Sequence, residues 1–459
     1  MRRWRYVPVA PRVGDDQAVE SFDWTTHPDA EALVAALVDE AVAASPRLRA
    51  LARRLETDTS TTLTDWLDHV AAPLDPAELA AVGFVEDATS PGGGVWRHPA
   101  AQLAAVVPSP ELALALRVDD AAAFAAAHHG SGVDGAPLSG FRRAVISSLG
   151  EAVVVSGVER RSWACGVAPP SWQDGETARA VRAWSLWAER PRGYDVGPDL
   201  AEARRRAEEM VELVGADLAA SYAMELERRF WQRRNTAAVV QHARQDRLGL
   251  GWGNNDHHTF RSSRPAFRQL IEILQVLGFT LRERFWAGAD AGWGAQVLEQ
   301  SGAGLVVFAD VDLAASEVEV DFASADLAAT AELGTVGLWC ALHGESVLAA
   351  GMHHLEGQFS FDQLRDDLAG LGIESMAPFS DLPHLRQAFT QPERWPVAPD
   401  RLAELVAAGH LTEAKAAEFG ARGAAGSHLE NLARRGGFKG FNQQNVSTTM
   451  RATDPRVLA

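Results

Sequence analysis

The stretch Asp256-His257-His258-Thr259-Phe260-Arg261 decides the fold. Its β-branched, aromatic and paired-histidine content reads as a strand, and Pro265 to Leu277 then reads as a helix with apolar 3.6-residue spacing that exits at Gly278-Phe279. Strands at Ala295–Leu298 and Leu305–Phe308 complete the unit. A second unit repeats the order: Gly351-Met352-His353-His354-Leu355-Glu356 as strand, Ser360 to Leu371 as helix, Gly372-Ile373 as exit, and a last strand carrying Glu430. An internal duplication is the economical explanation. The fold class expected is α+β, with paired βαβββ modules in the C-terminal half.

Working outward, Leu200 to Arg247 reads as long helices, with attractive pairs such as Glu225–Arg229 and a repulsive one at Glu208–Glu212. A Gly/Asn loop, Gly249 to Asn255, ends them. Upstream, residues 28–56 are helical in pattern, and Thr61 to Val70 reads as a further helix. From Gly83 to Val167 the pattern is strand-like, with a strand over Leu112–Val118, a helix over Ala121–His128 and a strand at Ala152–Val155. The division expected is an N-terminal α/β domain over 1–198, including a candidate degenerate module, a helical connector over 199–248, and a metal-binding paired βαβββ domain over 249–459.

Composition narrows the function classes. A chain of 459 residues with 47% hydrophobic and 23% charged residues is ordinary for a globular protein of more than one core. A net charge of −18 argues against nucleic-acid and acidic-membrane partners, which it would repel. Cys165 and Cys340 are the two cysteines, without zinc spacing, so a reducing cytoplasm is expected rather than a disulfide framework. The basic Met1-Arg2-Arg3-Trp4-Arg5 start has no apolar segment behind it, and no run of 18 apolar residues exists, so neither a signal peptide nor a transmembrane span is expected.

Alternation along a strand puts His257, Thr259 and Arg261 on one face and His258 and Phe260 on the other. Two histidines and a carboxylate on three strands form the ligand set of a non-heme Fe(II) site with open positions. The candidate ligands are His257, His353 and Glu430. His353 is preferred because Met352-His353 stands to its helix as Asp256-His257 stands to its own; His354 is the alternative. Arg261, two pleats from His257, is placed to clamp a carboxylate. His428 shares a face with Glu430, Asp310 and Asp312 read as structural, and His343 reads as part of a solvated loop. Trp252, Trp286, Trp293 and Trp339 read mainly as packing.

The segment Glu430-x-x-x-Arg434 followed by Gly437-Phe438-Lys439-Gly440-Phe441-Asn442 resembles the C-terminal signature of the 4-hydroxyphenylpyruvate dioxygenases, with a linker two residues shorter than in that family. Asp256-His257 and Met352-His353 resemble the ligand strands of the same vicinal-oxygen-chelate superfamily. His257-x-x-x-Arg261 is similar to the His and Arg of the 2-oxoadipate dioxygenase/decarboxylase (hydroxyglutarate synthase) family. The resemblance covers roughly residues 250–450. It implies Fe(II) as cofactor, with Zn, Mn, Ni and Co as alternatives, and catalytic roles for Arg261, Phe438 and Asn442. It implies a dioxygenase that decarboxylates and hydroxylates one small 2-oxo acid with O2, and leaves a homodimer open. The rival readings are a metal-dependent lyase, isomerase or hydrolase on the same fold, and a non-catalytic ligand-binding protein.

Overall fold

Sixteen strands form two sheets in the computed structural model, which describes residues 25–130, 132–147, 150–252, 255–288, 291–317, 320–440 and 454–456. Two helices lead, α1 (Pro28–Ala44) and α2 (Pro46–Thr59). They cover a first sheet built from β1 (Leu67–Ala72), α3 (Pro76–Ala81), β2 (Val85–Glu86), β3 (Trp96–Arg97) and β4 (Ala105–Pro108), then β5 (Ala113–Arg117), α4 (Ala121–His128), β6 (Phe141–Val145) and β7 (Val154–Arg160). Its order is β2-β3-β4-β1-β5-β7-β6. Four helices follow: α5 (Glu176–Ala188), α6 (Val196–Val214), α7 (Ala216–Gln232) and α8 (Thr236–Asp246).

The second sheet opens with β8 (Asn255–Arg261), α9 (Arg264–Val276), β9 (Thr280–Trp286), β10 (Trp293–Gln300) and β11 (Leu305–Asp312). Helix α10 (Thr335–His343) crosses to β12 (His354–Gln358), α11 (Phe361–Ala369), β13 (Ser380–Leu382), β14 (Leu385–Phe389) and β15 (Glu393–Trp395). Then come α12 (Pro399–Ala407), α13 (Glu413–Arg422) and the long β16 (Ala424–Arg434). The order is β13-β14-β16-β12-β8-β11-β10-β9, with β15 beside β16.

Each half of each sheet follows one rule. The first strand of a unit pairs in parallel with the last, as in β1–β4, β5–β7, β8–β11 and β12–β16. The two first strands of a sheet then pair antiparallel, β1 with β5 and β8 with β12. The expected duplication in the C-terminal half is present, and the same arrangement recurs upstream, where β5-α4-β6-β7 is one strand short of a full βαβββ unit.

Local chemistry explains the units. In α9, Pro265 sits in the first turn, where its missing N–H costs nothing. Phe267, Leu270, Ile271 and Leu274 form one buried stripe. Gly278, at φ +85, then reverses the chain into β9. In the second sheet Phe260, Val307, Ala309, Leu355 and Leu429 face this helical layer. Alternate residues on the other face, including Ala295, Val297, Phe308 and Phe389, pack with Trp339 and Cys340 of α10.

Two expectations need correction. Thr61–Val70 is not a helix: a short 3-10 turn over Leu63–Trp66 leads directly into β1, whose backbone groups pair with both β4 and β5. His343 is not in a solvated loop either, since it is the last residue of α10, buried, with Nε2 3.0 Å from the Ala425 carbonyl oxygen. Among the described residues, no helix is long and apolar enough to cross a membrane.

Candidate metal centre

Register brings the histidines together. In the antiparallel β8–β12 pair, His354 lies opposite Thr259, two residues from His257 and therefore on its face. In the parallel β12–β16 pair, His354 lies beside His428 and Glu356 beside Glu430. Three side chains consequently point to one place: His354 Nε2 is 3.4 Å from His257 Nε2 and 3.2 Å from Glu430 Oε2, and His257 Nε2 is 3.7 Å from that same oxygen. Donors about 2.1 Å from a shared ion stand about 3.0 Å apart on an octahedral face and about 3.4 Å apart on a tetrahedral one. The triangle has the size and the donor set for such an ion, and these three are the group among the described residues that meets it.

His353, the preferred residue in the sequence, is the one left out. It precedes the strand at a bend, donates its backbone N–H to the Thr259 carbonyl, and packs its ring against Trp339 and His428. The analogy with Met352 and the helix does not fix parity; pairing with β8 does, and it turns His354 rather than His353 toward His257. His353 still touches the site, with Nδ1 3.1 Å from Nδ1 of His354.

A signal for this was present in the sequence. His354-Leu355-Glu356 and His428-Leu429-Glu430 are the same tripeptide, and they lie side by side residue for residue. Each leucine enters the helical core and each His and Glu faces the site. One tripeptide supplies one histidine of the triangle, His354, and the other its carboxylate, Glu430.

The remaining two members support them. Glu356 lies with Oε1 3.3 Å from Nδ1 of His257, a close approach short of a hydrogen bond that sets a carboxylate beside the nitrogen remote from the triangle. His428 Nδ1 donates to the Thr390 carbonyl at 2.9 Å. Gln387 donates to Glu430 at 2.9 Å and to Glu356 at 3.3 Å, and Arg434 Nη2 lies 3.4 Å from Glu356 Oε1.

Burial sets the protonation. It pushes His257 and His354 down to about 3, His257 against the opposing pull of Glu430, so both rings are neutral and can offer a lone pair. It pushes Glu430 up, and Glu356 well up, where the adjoining Glu430 charge adds to the effect. A cation in the triangle reverses that bias for the carboxylate it touches.

Arg261 lies on the same face of β8, fully buried, and none of Nε, Nη1 and Nη2 has a hydrogen-bond partner. The guanidinium stands over the Trp339 ring at 5.6 Å from its centroid. Phe438 is buried against Leu385 and Leu432 with its ring 5.0 Å from that of His384, and Asn442 falls outside the described residues. Trp293 and Trp339 line the inner face, whereas Trp252 belongs to the helical layer.

The strand order and the pairing of first with last strands make the architecture plain. The second sheet is built of two paired βαβββ units. Solved structures similar to it include a 4-hydroxymandelate synthase variant from Streptomyces coelicolor, 11% identical over 86% of this chain and 99% of that one, at a TM-score of 0.27. Methylmalonyl-CoA epimerase from Mycobacterium tuberculosis is 14% identical over 39% of this chain and 87% of its own, at 0.22. An uncharacterised Shigella flexneri protein, YdcJ, is 12% identical over 51% of this chain and 73% of its own, at 0.24. At such scores the superpositions carry no argument about chemistry. No protein-family model and no curated protein sequence matches the chain. The candidate centre lies where the two units of the second sheet meet, on β8, β12 and β16.

Proposed function

We propose that the chain is a mononuclear non-heme Fe(II) dioxygenase acting on a small 2-oxo acid. The overall reaction takes up O2, releases CO2 from the oxo acid and hydroxylates the shortened acid. The observation that carries this reading is the conjunction of a His257–His354–Glu430 triangle with a buried guanidinium, Arg261, that makes no hydrogen bond. An Fe(II) ion on that triangle would leave adjacent positions for the two oxygens of an oxo acid and for O2, and would supply the electrons that O2 activation needs.

The chain's own residues do the rest. Arg261 binds the carboxylate of the acid through its planar fork and so fixes its orientation. Phe308, whose ring is 4.5 Å from that of His257, and Phe389, 5.2 Å from His354, keep water from the reacting end. Glu356 holds the His257 tautomer, and Gln387 and Arg434 hold the carboxylates. Phe438 closes the face beyond Leu432.

Glu356 also favours a second reading. A buried carboxylate beside the triangle suits proton transfer, as a lyase or isomerase using Zn, Mn, Ni or Co would require. Anaerobic loading with Fe(II), followed by a panel of 2-oxo acids, separates the two. A visible absorption band on adding the right acid, and stoichiometric O2 consumption on admitting air, are the expected results. Turnover with Zn(II) and no O2 consumption with Fe(II) would overturn the first reading in favour of the second.

A further inference from the structure

Arg261 has one carboxylate near it that is not otherwise engaged. Asp310 lies directly opposite in the parallel β8–β11 register, on the same face, almost wholly buried, with Oδ2 3.9 Å from Arg261 Nε. That separation is an ion pair without a hydrogen bond. The surrounding groups are committed elsewhere. Asp312, on the same strand, accepts from Val336 N–H at 3.0 Å and Gly337 N–H at 2.8 Å at the start of α10. Asp454 is paired with Arg456 at 2.7 Å and with the Thr335 hydroxyl at 2.7 Å. Glu345 accepts from Ser262 and Ser263. The Cys340 thiol is pushed well up by burial and stays protonated, while His343, His353, His354 and His428 are all held neutral by burial.

We propose that Asp310 is the resident counter-ion of Arg261, that the carboxylate of an incoming 2-oxo acid displaces it, and that binding therefore takes up one proton onto Asp310. The inference rests on Arg261 as the carboxylate clamp. Its logic is electrostatic. A guanidinium in a low-dielectric cup requires an anion, and Asp310 supplies one at a distance that leaves all five N–H donors unused. A substrate carboxylate uses those donors. Two carboxylates facing one cation cannot both stay ionised away from water, so the weaker partner takes a proton from solvent. No bond other than that O–H forms, and nothing is oxidised.

The sign follows from where Asp310 titrates. Burial lifts it to about 7 against the pull of Arg261. Below that pH the group is already neutral and no proton is taken up. Above it the free protein carries the Asp310 charge, and the dissociation constant rises by about tenfold per pH unit. Asp310 thus acts as a specificity-determining residue, holding the clamp for anions that outcompete it.

The experiment is calorimetric titration of the Fe(II)-loaded full chain under argon with pyruvate and 2-oxoglutarate, in buffers of different ionisation heat between pH 6 and 9. The expected result is uptake approaching one proton at pH 8 and near zero at pH 6. Asp310→Asn should bind about tenfold more tightly than wild type at pH 8, with no proton uptake and a flat pH profile. Wild-type binding without proton exchange, or uptake that persists in Asp310→Asn, overturns the inference and leaves the clamp standing. Failure of wild type to bind either acid, or undiminished binding by Arg261→Gln, overturns the clamp and this inference together. Should Asp310→Asn fold poorly, the wild-type proton count decides alone.

Discussion

The two sheets share a strand rule and treat buried charge in opposite ways. In the first, Arg160 Nε and Nη2 donate to the two oxygens of Asp68 at 2.5 and 2.7 Å, and Nη1 donates to the carbonyls of Ser162 and Gly166. His69 adds a contact to Asp68 at 2.6 Å, and Trp163 stacks on the guanidinium. In the second, the Arg261 guanidinium makes no hydrogen bond and three ligand-type side chains converge. The contrast separates structure from site. A closed network holds a fold together and has no capacity left for a ligand, whereas a buried guanidinium without hydrogen bonds beside converging ligand-type side chains keeps that capacity.

The sharpest way to break this comparison is to open the closed network. Asp68→Asn leaves Arg160 buried without its partner and should destabilise the chain by about 3–5 kcal/mol, with metal affinity unchanged. The pair holds Asp68 well below the usual carboxylate range, so its stabilisation is complete above about pH 4 and is lost as the pH falls further. Denaturant curves should accordingly separate mutant and wild type at neutral pH and bring them together in strong acid. Equal stability at pH 7 would mean that the Asp68–Arg160 pair contributes nothing.

Next in size are the ligands themselves. Glu430→Ala and His354→Ala should each weaken Fe(II) binding by more than about 100-fold in an anaerobic chelator competition, while His353→Ala should stay within about tenfold. The reverse order for the two histidines would return the ligand role to His353. Glu356→Gln should cost about 10- to 100-fold in the same assay, because an amide can donate to Nδ1 and permit the wrong His257 tautomer. The smallest effect is expected from Phe438→Leu, which keeps the apolar contact with Leu385 and Leu432 and should alter metal affinity by less than about threefold.

Strand alternation makes the shared face legible: spacing alone puts His257, Thr259 and Arg261 on one side of β8, and Glu430 stands out by its strand and the Arg434 that follows. The choice between His353 and His354 was not legible by comparing each unit with its helix, because parity is fixed by pairing with a neighbouring strand. The repeated His-Leu-Glu tripeptide carried that information in a form that only a side-by-side reading reveals. Glu356 was invisible as a partner of His257, since the two are distant in sequence and meet through β8–β12 pairing with a register shift.

By itself the sequence determined the kinds of element, the duplicated units and the residue types able to bind a cation, because periodicity and side-chain chemistry are local properties. Tertiary structure alone decided which imidazole meets Glu430, that Asp310 lies 3.9 Å from Arg261, and that Thr61–Val70 ends in a strand rather than a helix. Those outcomes depend on register between strands far apart in the chain, and a shift of one residue would turn each side chain to the opposite face.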